Sequence, residues 1–183
     1  YYATAGLGHS IFGTQMYDKD KPIVYICEGP WDAMALYEVL RHTRVCKETD
    51  SYVYTDRTAE SLYTRANILA VPGCTTFLEK WAFLCHKKDV IILYDSDHPR
   101  KNKDKEIEPG SIVGTKKFAR GLKASQYEPK SIKFLKWGDN LFNPEKPSGY
   151  DIRDHLTESK HIKNRVIRLR QLLKKIEPIP EKW

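Results

Sequence analysis

Four short apolar, β-rich runs, separated by turns and amphipathic stretches, restrict this chain to one class of fold. The first, "IVYIC" (Ile23–Cys27), carries no charge, as expected of a strand covered on both faces. It is followed by "NILAVPG" (67–73), "DVIILYDSD" (89–97) and "SIKFLKW" (131–137). The last alternates Ile132, Phe134 and Lys136 against Lys133, Leu135 and Trp137, the pattern of an edge or half-covered strand. After the first run, Gly29-Pro30 opens a helix in which Ala33, Leu36, Tyr37 and Leu40 form one apolar stripe. An aromatic helix-like stretch spans Phe77–Leu84, and a helix over Ser111–Leu122 turns Val113, Phe118 and Leu122 inward. Residues 42–64 read as a polar peripheral segment, and 98–110 as a charged loop. Strands alternating with helices at this spacing predict an α/β fold: a mostly parallel four-stranded sheet flanked by helices.

A chain of 183 residues, 40% hydrophobic and 30% charged, is long enough for one well-buried domain. No apolar run approaches the ~20 residues of a membrane span, and the polar, glycine-rich start is no secretory signal. Lacking an initiator Met, the chain reads as a piece of something larger, placed in the cytoplasm. Cys27, Cys46, Cys74 and Cys85 form no C-x-x-C pair and have no His at zinc spacing, so they read as buried reduced thiols, with no zinc. The net charge of +7 suits a polyanionic partner.

In open parallel sheets, ligands bind outside the carboxyl ends of the strands. Glu28 ends the first run, Asp95 and Asp97 end the third, and Asp151 and Asp154 follow the fourth after a loop. Five carboxylates are thus positioned to meet at one sheet edge. Unpaired, they would repel one another and hold their protons more tightly. A divalent cation resolves the conflict, and Mg²⁺ takes oxygen ligands, keeping several waters and using substrate phosphates besides. The bland alternative for each acid is capping of a turn or helix.

Glu28-Gly29 after a strand, Asp32 in the following helix and Asp95-x-Asp97 after a later strand resemble the Toprim domain of primases, topoisomerases, some nucleases and recombination mediators. "SIFGTQMYDKDKPIVYICEG" is similar to the approach to the Toprim glutamate in phage and mitochondrial primase-helicases, and "GYDIRDHL" to the K-D-x-x-[DE]-x-L element of primases. Tyr150 stands where that element usually has Lys, and Arg153 where some primases place another acid. The resemblance implies a tail of a preceding subdomain over 1–20, a Toprim catalytic domain over 21–157, and a C-terminal basic helix and linker over 158–183.

It also implies that Glu28, Asp95 and Asp97 are catalytic and bind Mg²⁺ or Mn²⁺, with Asp151 and Asp154 completing a second metal position. Glu28 is either a ligand or a general base. Asp32 either orients the Glu28 loop or favours the helix N-terminus electrostatically. Arg100, Lys101, Lys103, Lys116, Lys117 and Arg120 either hold nucleotide or template phosphates or form a solvated face. Trp81 and Trp137 read as packing residues rather than base-stacking platforms.

From Lys160 to Ile176 a basic helix carries Ile162, Val166, Leu169, Leu173 and Ile176 as a seam, stopped by Pro178 and Pro180. Packing back on the domain is the favoured use, ahead of docking a helicase module and of binding nucleic acid. The leading functional expectation is a primase-type nucleotidyltransferase acting on single-stranded DNA with ribonucleoside triphosphates, working with a replicative helicase module in cis or trans. A Toprim nuclease and a non-catalytic recruiting module in replication or recombination are the alternatives.

Overall fold

Parallel pairing organises the centre of the molecule. The structure is a computed structural model that describes residues 10–46, 51–53, 61–102 and 105–183. In chain order its elements are β1 (Ile23–Cys27), α1 (Pro30–His42), β2 (Arg44–Cys46), β3 (Ser51–Val53), β4 (Ala66–Ala70), β5 (Asp89–Leu93), β6 (Arg100–Asn102), β7 (Lys105–Ile107), α2 (Gly110–Ala124), β8 (Ser131–Leu135), α3 (Ile152–Thr157), α4 (Ile162–Leu173) and β9 (Ile176–Pro178). The sheet runs β4-β1-β5-β8-β9, the first four strands parallel and β9 antiparallel to β8. It is therefore a five-stranded mixed sheet, not the four-stranded one expected.

Period-two alternation divides the core between the two sheet faces. Tyr25, Ile68, Ile91 and Leu135 face one side, with Leu36 and Leu40 of α1, Leu156 of α3 and Leu169 of α4. Val24, Ile26, Val90, Ile92 and Phe134 face the other, with Phe118 and Leu122 of α2 and Trp81 from the 3₁₀ segment Glu79–Cys85. Trp137 is also buried, and its indole N–H donates to the Tyr94 carbonyl at 2.8 Å. Both tryptophans are packing residues.

Three expectations need correction. The α2 stripe runs through Ile112, Thr115, Phe118, Ala119 and Leu122, leaving Val113 exposed. The terminal helix ends at Leu173, and Ile176–Pro178 adds a strand outside β8, which is therefore not the edge. Proline tolerates this place because an edge strand has backbone groups that need no ladder partner. The charged loop contains the β6–β7 hairpin.

Val166, Leu169 and Leu172 are buried where α4 packs back on the domain; Ile162, Leu173 and Ile176 are half-buried beside them. Residues 42–64 contribute the two-stranded β2–β3 pairing. Cys27, Cys74 and Cys85 are free thiols, and the Cys46 side chain lies outside the described residues. Among the described residues no helix is long and apolar enough to cross a membrane.

Candidate functional site

Glu28, Asp95 and Asp97 lie at the carboxyl ends of adjacent strands. Cys27 of β1 pairs in register with Leu93 of β5, so the chain leaves both strands side by side, at Glu28 and at Tyr94-Asp95. Asp151 reaches the same edge through a local stitch. The Ser96 N–H donates to the Tyr150 carbonyl at 2.8 Å, and the Gly149 N–H donates to the Ser96 carbonyl at 3.1 Å. Ser96 is fully buried between the two half-buried aspartates.

The carboxylates act on one another across these segments. Burial pushes Asp95 up to about 9, with Glu28, Asp32, Asp151 and Asp97 adding to the rise. Burial and then Asp97 raise Glu28, opposed by the Cys74 thiol and by the backbone N–H groups of Asp95 and Cys74. Asp32 is pushed up to about 7 by burial and by Asp151. Asp151 is raised chiefly by its own burial. Loss of hydration and like charge thus work together, as expected of a crowded acidic rim. Glu28 Oε2 is buried without a hydrogen-bond partner among the described residues.

Several acids also have local duties. Asp97 Oδ2 accepts from the Ser111 N–H at 3.0 Å, at the start of α2. Asp151 is the N-cap of α3, accepting from the Asp154 N–H at 2.6 Å. The Arg153 guanidinium lies 2.8 Å from Asp151 and 3.7 Å from the half-exposed Asp154. Asp32 folds back over the Glu28-Gly29 turn, where a Cβ on Gly29 would sit 3.1 Å from its Oδ2. Its Oδ1 faces the Arg153 N–H at 3.4 Å, and its charge couples more strongly to Asp151 than to Glu28.

One site neighbour escapes the sequence reading. Cys74 follows β4, the strand on the other side of β1, and its thiol is held up to about 12 by burial and then by Glu28. Position at a third carboxyl strand end was the available signal; the apolar surroundings disguised it. Arg153, which departs from the primase pattern, is a cation beside both Asp151 and Asp154. Tyr150 is buried, its hydroxyl donating to Glu158 at 2.5 Å, so it packs rather than replacing a lysine at the rim.

The basic residues divide. Arg100 and Lys101 are exposed on β6, and Lys117 and Arg120 on α2. Lys116 is half-buried, paired with Glu108 and 5.1 Å above the Trp183 ring. Lys103 lies outside the described residues.

Carboxylate oxygens dominate the rim, a donor set that fits Mg²⁺ or Mn²⁺. The unpartnered Glu28 oxygen and the protonation forced on Asp95 are the marks of acids short of a counter-charge. Among the described residues no group of three or more His, Cys, Asp or Glu side chains forms a ready-made metal cage. Mg²⁺ asks less than that, commonly one or two carboxylates with water and phosphate. A scan against protein-family models, a search of curated proteins and a search of solved structures return no match to the chain.

Proposed function

We propose that the chain is the Toprim-like catalytic part of a primase, carrying out metal-dependent nucleotidyl transfer that makes RNA primers on single-stranded DNA. The observation that carries this reading is the electrostatic meeting of Glu28, Asp95 and Asp97, from two chain segments, at the carboxyl edge of a parallel sheet. Glu28, Asp95 and Asp97 would hold one Mg²⁺ or Mn²⁺, and Asp151 with Asp154 a second. Bound there, the ions supply activation of a primer hydroxyl and neutralisation of the nucleotide phosphates.

The residues themselves do the rest. A cation held beside Asp95 would favour its ionised form, against the burial and the neighbouring carboxylates that hold its proton. Arg153 keeps Asp151 in place from the side. Exposed Arg100, Lys101, Lys117 and Arg120 attract template and nucleotide phosphates. A helicase module joined in cis or in trans is the partner that this activity implies.

Two measurements test the proposal. Mn²⁺ is titrated into the wild type and into the Asp95→Ala/Asp97→Ala variant; measurable affinity lost in the variant supports it, and equal, negligible affinity in both favours a recruiting module. End-labelled single-stranded DNA is then incubated with Mg²⁺ or Mn²⁺, with and without ribonucleotides, alone and with a helicase partner. Extension supports nucleotidyl transfer, whereas shortening makes the chain a nuclease.

A further inference from the structure

An open cleft of about 710 Å³ lies beside Asp97, a volume in the range of small-ligand sites, with Glu106 and Asp139 exposed at its mouth. Pro99, Ile112, Leu141 and Phe142 give it apolar walls, and Glu106 and Asp139 bring carboxylates to its lining. Glu108, also in the lining, is engaged by Lys116. Glu106 and Asp139 have no ion-pair partner among the described residues.

Three of its walls are tied to the Asp95–His98 segment. Ile112 follows Ser111, whose N–H donates to Asp97 Oδ2 at 3.0 Å. The Phe142 ring lies 4.8 Å from the His98 ring, and the next residue, Asn143, donates its N–H to Ser96 Oγ at 2.8 Å. Pro99 itself comes two residues after Asp97. A ligand in the cavity therefore lies next to the acidic rim.

The lining selects the ligand's chemistry. Proline rings, aliphatic side chains and Phe142 suit a flat heterocycle. Ionised carboxylates only accept hydrogen bonds, so they repel phosphate and require a donor-bearing edge. Guanine is the one common base with two adjacent donors, N1–H and the N2 amino group, on its pairing edge, and a carboxylate receives both. Ribose hydroxyls add further donors. Phosphates on such a ligand are directed away from Glu106 and Asp139, towards the rim, where the proposed Mg²⁺ or Mn²⁺ would offset the charge of the carboxylates.

We propose that this cavity takes the guanine base and ribose of a guanosine nucleotide whose phosphates lie at the acidic rim. The proposal rests on the nucleotidyl-transfer reading, and it gives that reading a base preference.

The test uses the 183-residue chain in EDTA, with guanosine and inosine as probes, read by saturation-transfer NMR and calorimetry. Inosine lacks only the N2 amino group. Guanosine is expected to bind about tenfold or more tightly than inosine, the usual effect of one hydrogen bond to a charged acceptor. Asn140→Trp, at an exposed position in the lining, blocks the cavity and weakens guanosine binding about tenfold or more, with the circular dichroism unchanged. Asp139→Asn narrows the guanosine–inosine difference if Asp139 is the receiving acid, and Glu106→Gln does so if Glu106 is.

No guanosine binding, equal affinity for the two nucleosides, or unchanged binding in a folded Asn140→Trp variant overturns the proposal. So does a guanosine–inosine difference that survives both acid substitutions together. The probes carry no phosphate and no metal is present, so the result is independent of the Mn²⁺ titration. A chain that binds guanosine but not Mn²⁺ fails the metal reading alone; one that binds Mn²⁺ but not guanosine fails the cavity alone.

Discussion

The Ser111 backbone N–H donates to Asp97 Oδ2 at 3.0 Å, across 14 positions of sequence, so a rim acid also holds the start of α2. That helix has no side-chain cap of its own. Asp97→Ala therefore loses a cap worth about 1 kcal/mol as well as a proposed metal ligand. Asp97→Asn keeps an oxygen acceptor and the cap while losing the charge. Thermal unfolding in EDTA should place Asn above Ala by roughly 2–4 °C, and Mn²⁺ affinity should fall in both. Identical midpoints for the two would remove the capping role.

Asp95 is the rim acid whose ionisation costs most. Asp95→Asn needs no proton kept on folding that the unfolded chain would release, and is expected to stabilise the metal-free protein at pH 8, by roughly 1–2 kcal/mol or 2–8 °C. The same change should reduce Mn²⁺ affinity tenfold or more. A substitution that stabilises the fold while removing ligand affinity marks a site built for binding, and calorimetry with thermal unfolding reads both effects.

The pH dependence follows from the same groups. Asp95 near 9 and Asp32 near 7 lie above the ordinary 3.8 of an unfolded aspartate, and Glu28 and Asp151 are also raised. The folded state therefore keeps protons that the unfolded chain releases. The resulting stability is complete below about pH 4 and is lost as pH rises towards 9. His155, lowered by burial, works the opposite way near its ordinary 6.5, but one histidine faces four raised carboxyls. In EDTA the unfolding midpoint should fall from pH 5 to pH 9, and saturating Mn²⁺ should flatten the decline. A midpoint that rises over this range contradicts the crowded rim.

The fold was legible wherever burial left long apolar runs. Ile23–Cys27 and Asp89–Leu93 are covered on both faces, and their composition announces it. Ile176–Pro178 was hidden because three residues with a proline carry no strand pattern, and only pairing with β8 makes them one. Val113 was placed on the wrong face because the α2 stripe uses Thr115 and Ala119, small residues that apolar periodicity overlooks. At the site, the strand-end acids were visible because parallel topology gathers carboxyl ends. Cys74 and the Ser111 contact depend on how loops close over that edge, which spacing along the chain does not encode.

Gly114 joins these two overlooked features. In an exposed helix, Gly→Ala stabilises by about 1 kcal/mol. A Cβ at Gly114, however, would fall 2.4 Å from the Cys74 carbonyl oxygen and 2.6 Å from its carbonyl carbon. Backbone atoms cannot swing aside as a side-chain tip can, so α2 and the segment after β4 must separate. Gly114→Ala is therefore expected to destabilise, by roughly 1–3 kcal/mol, against its helix propensity. Because the Cys74 thiol and N–H favour the ionised form of Glu28, the separation should also weaken Mn²⁺ binding, although a Cβ at 114 meets Cys74 rather than a proposed ligand. Urea unfolding and Mn²⁺ titration on the same variant check both halves. Increased stability would mean the two segments are not in close contact, while lost stability with unchanged metal affinity would detach Cys74 from the site.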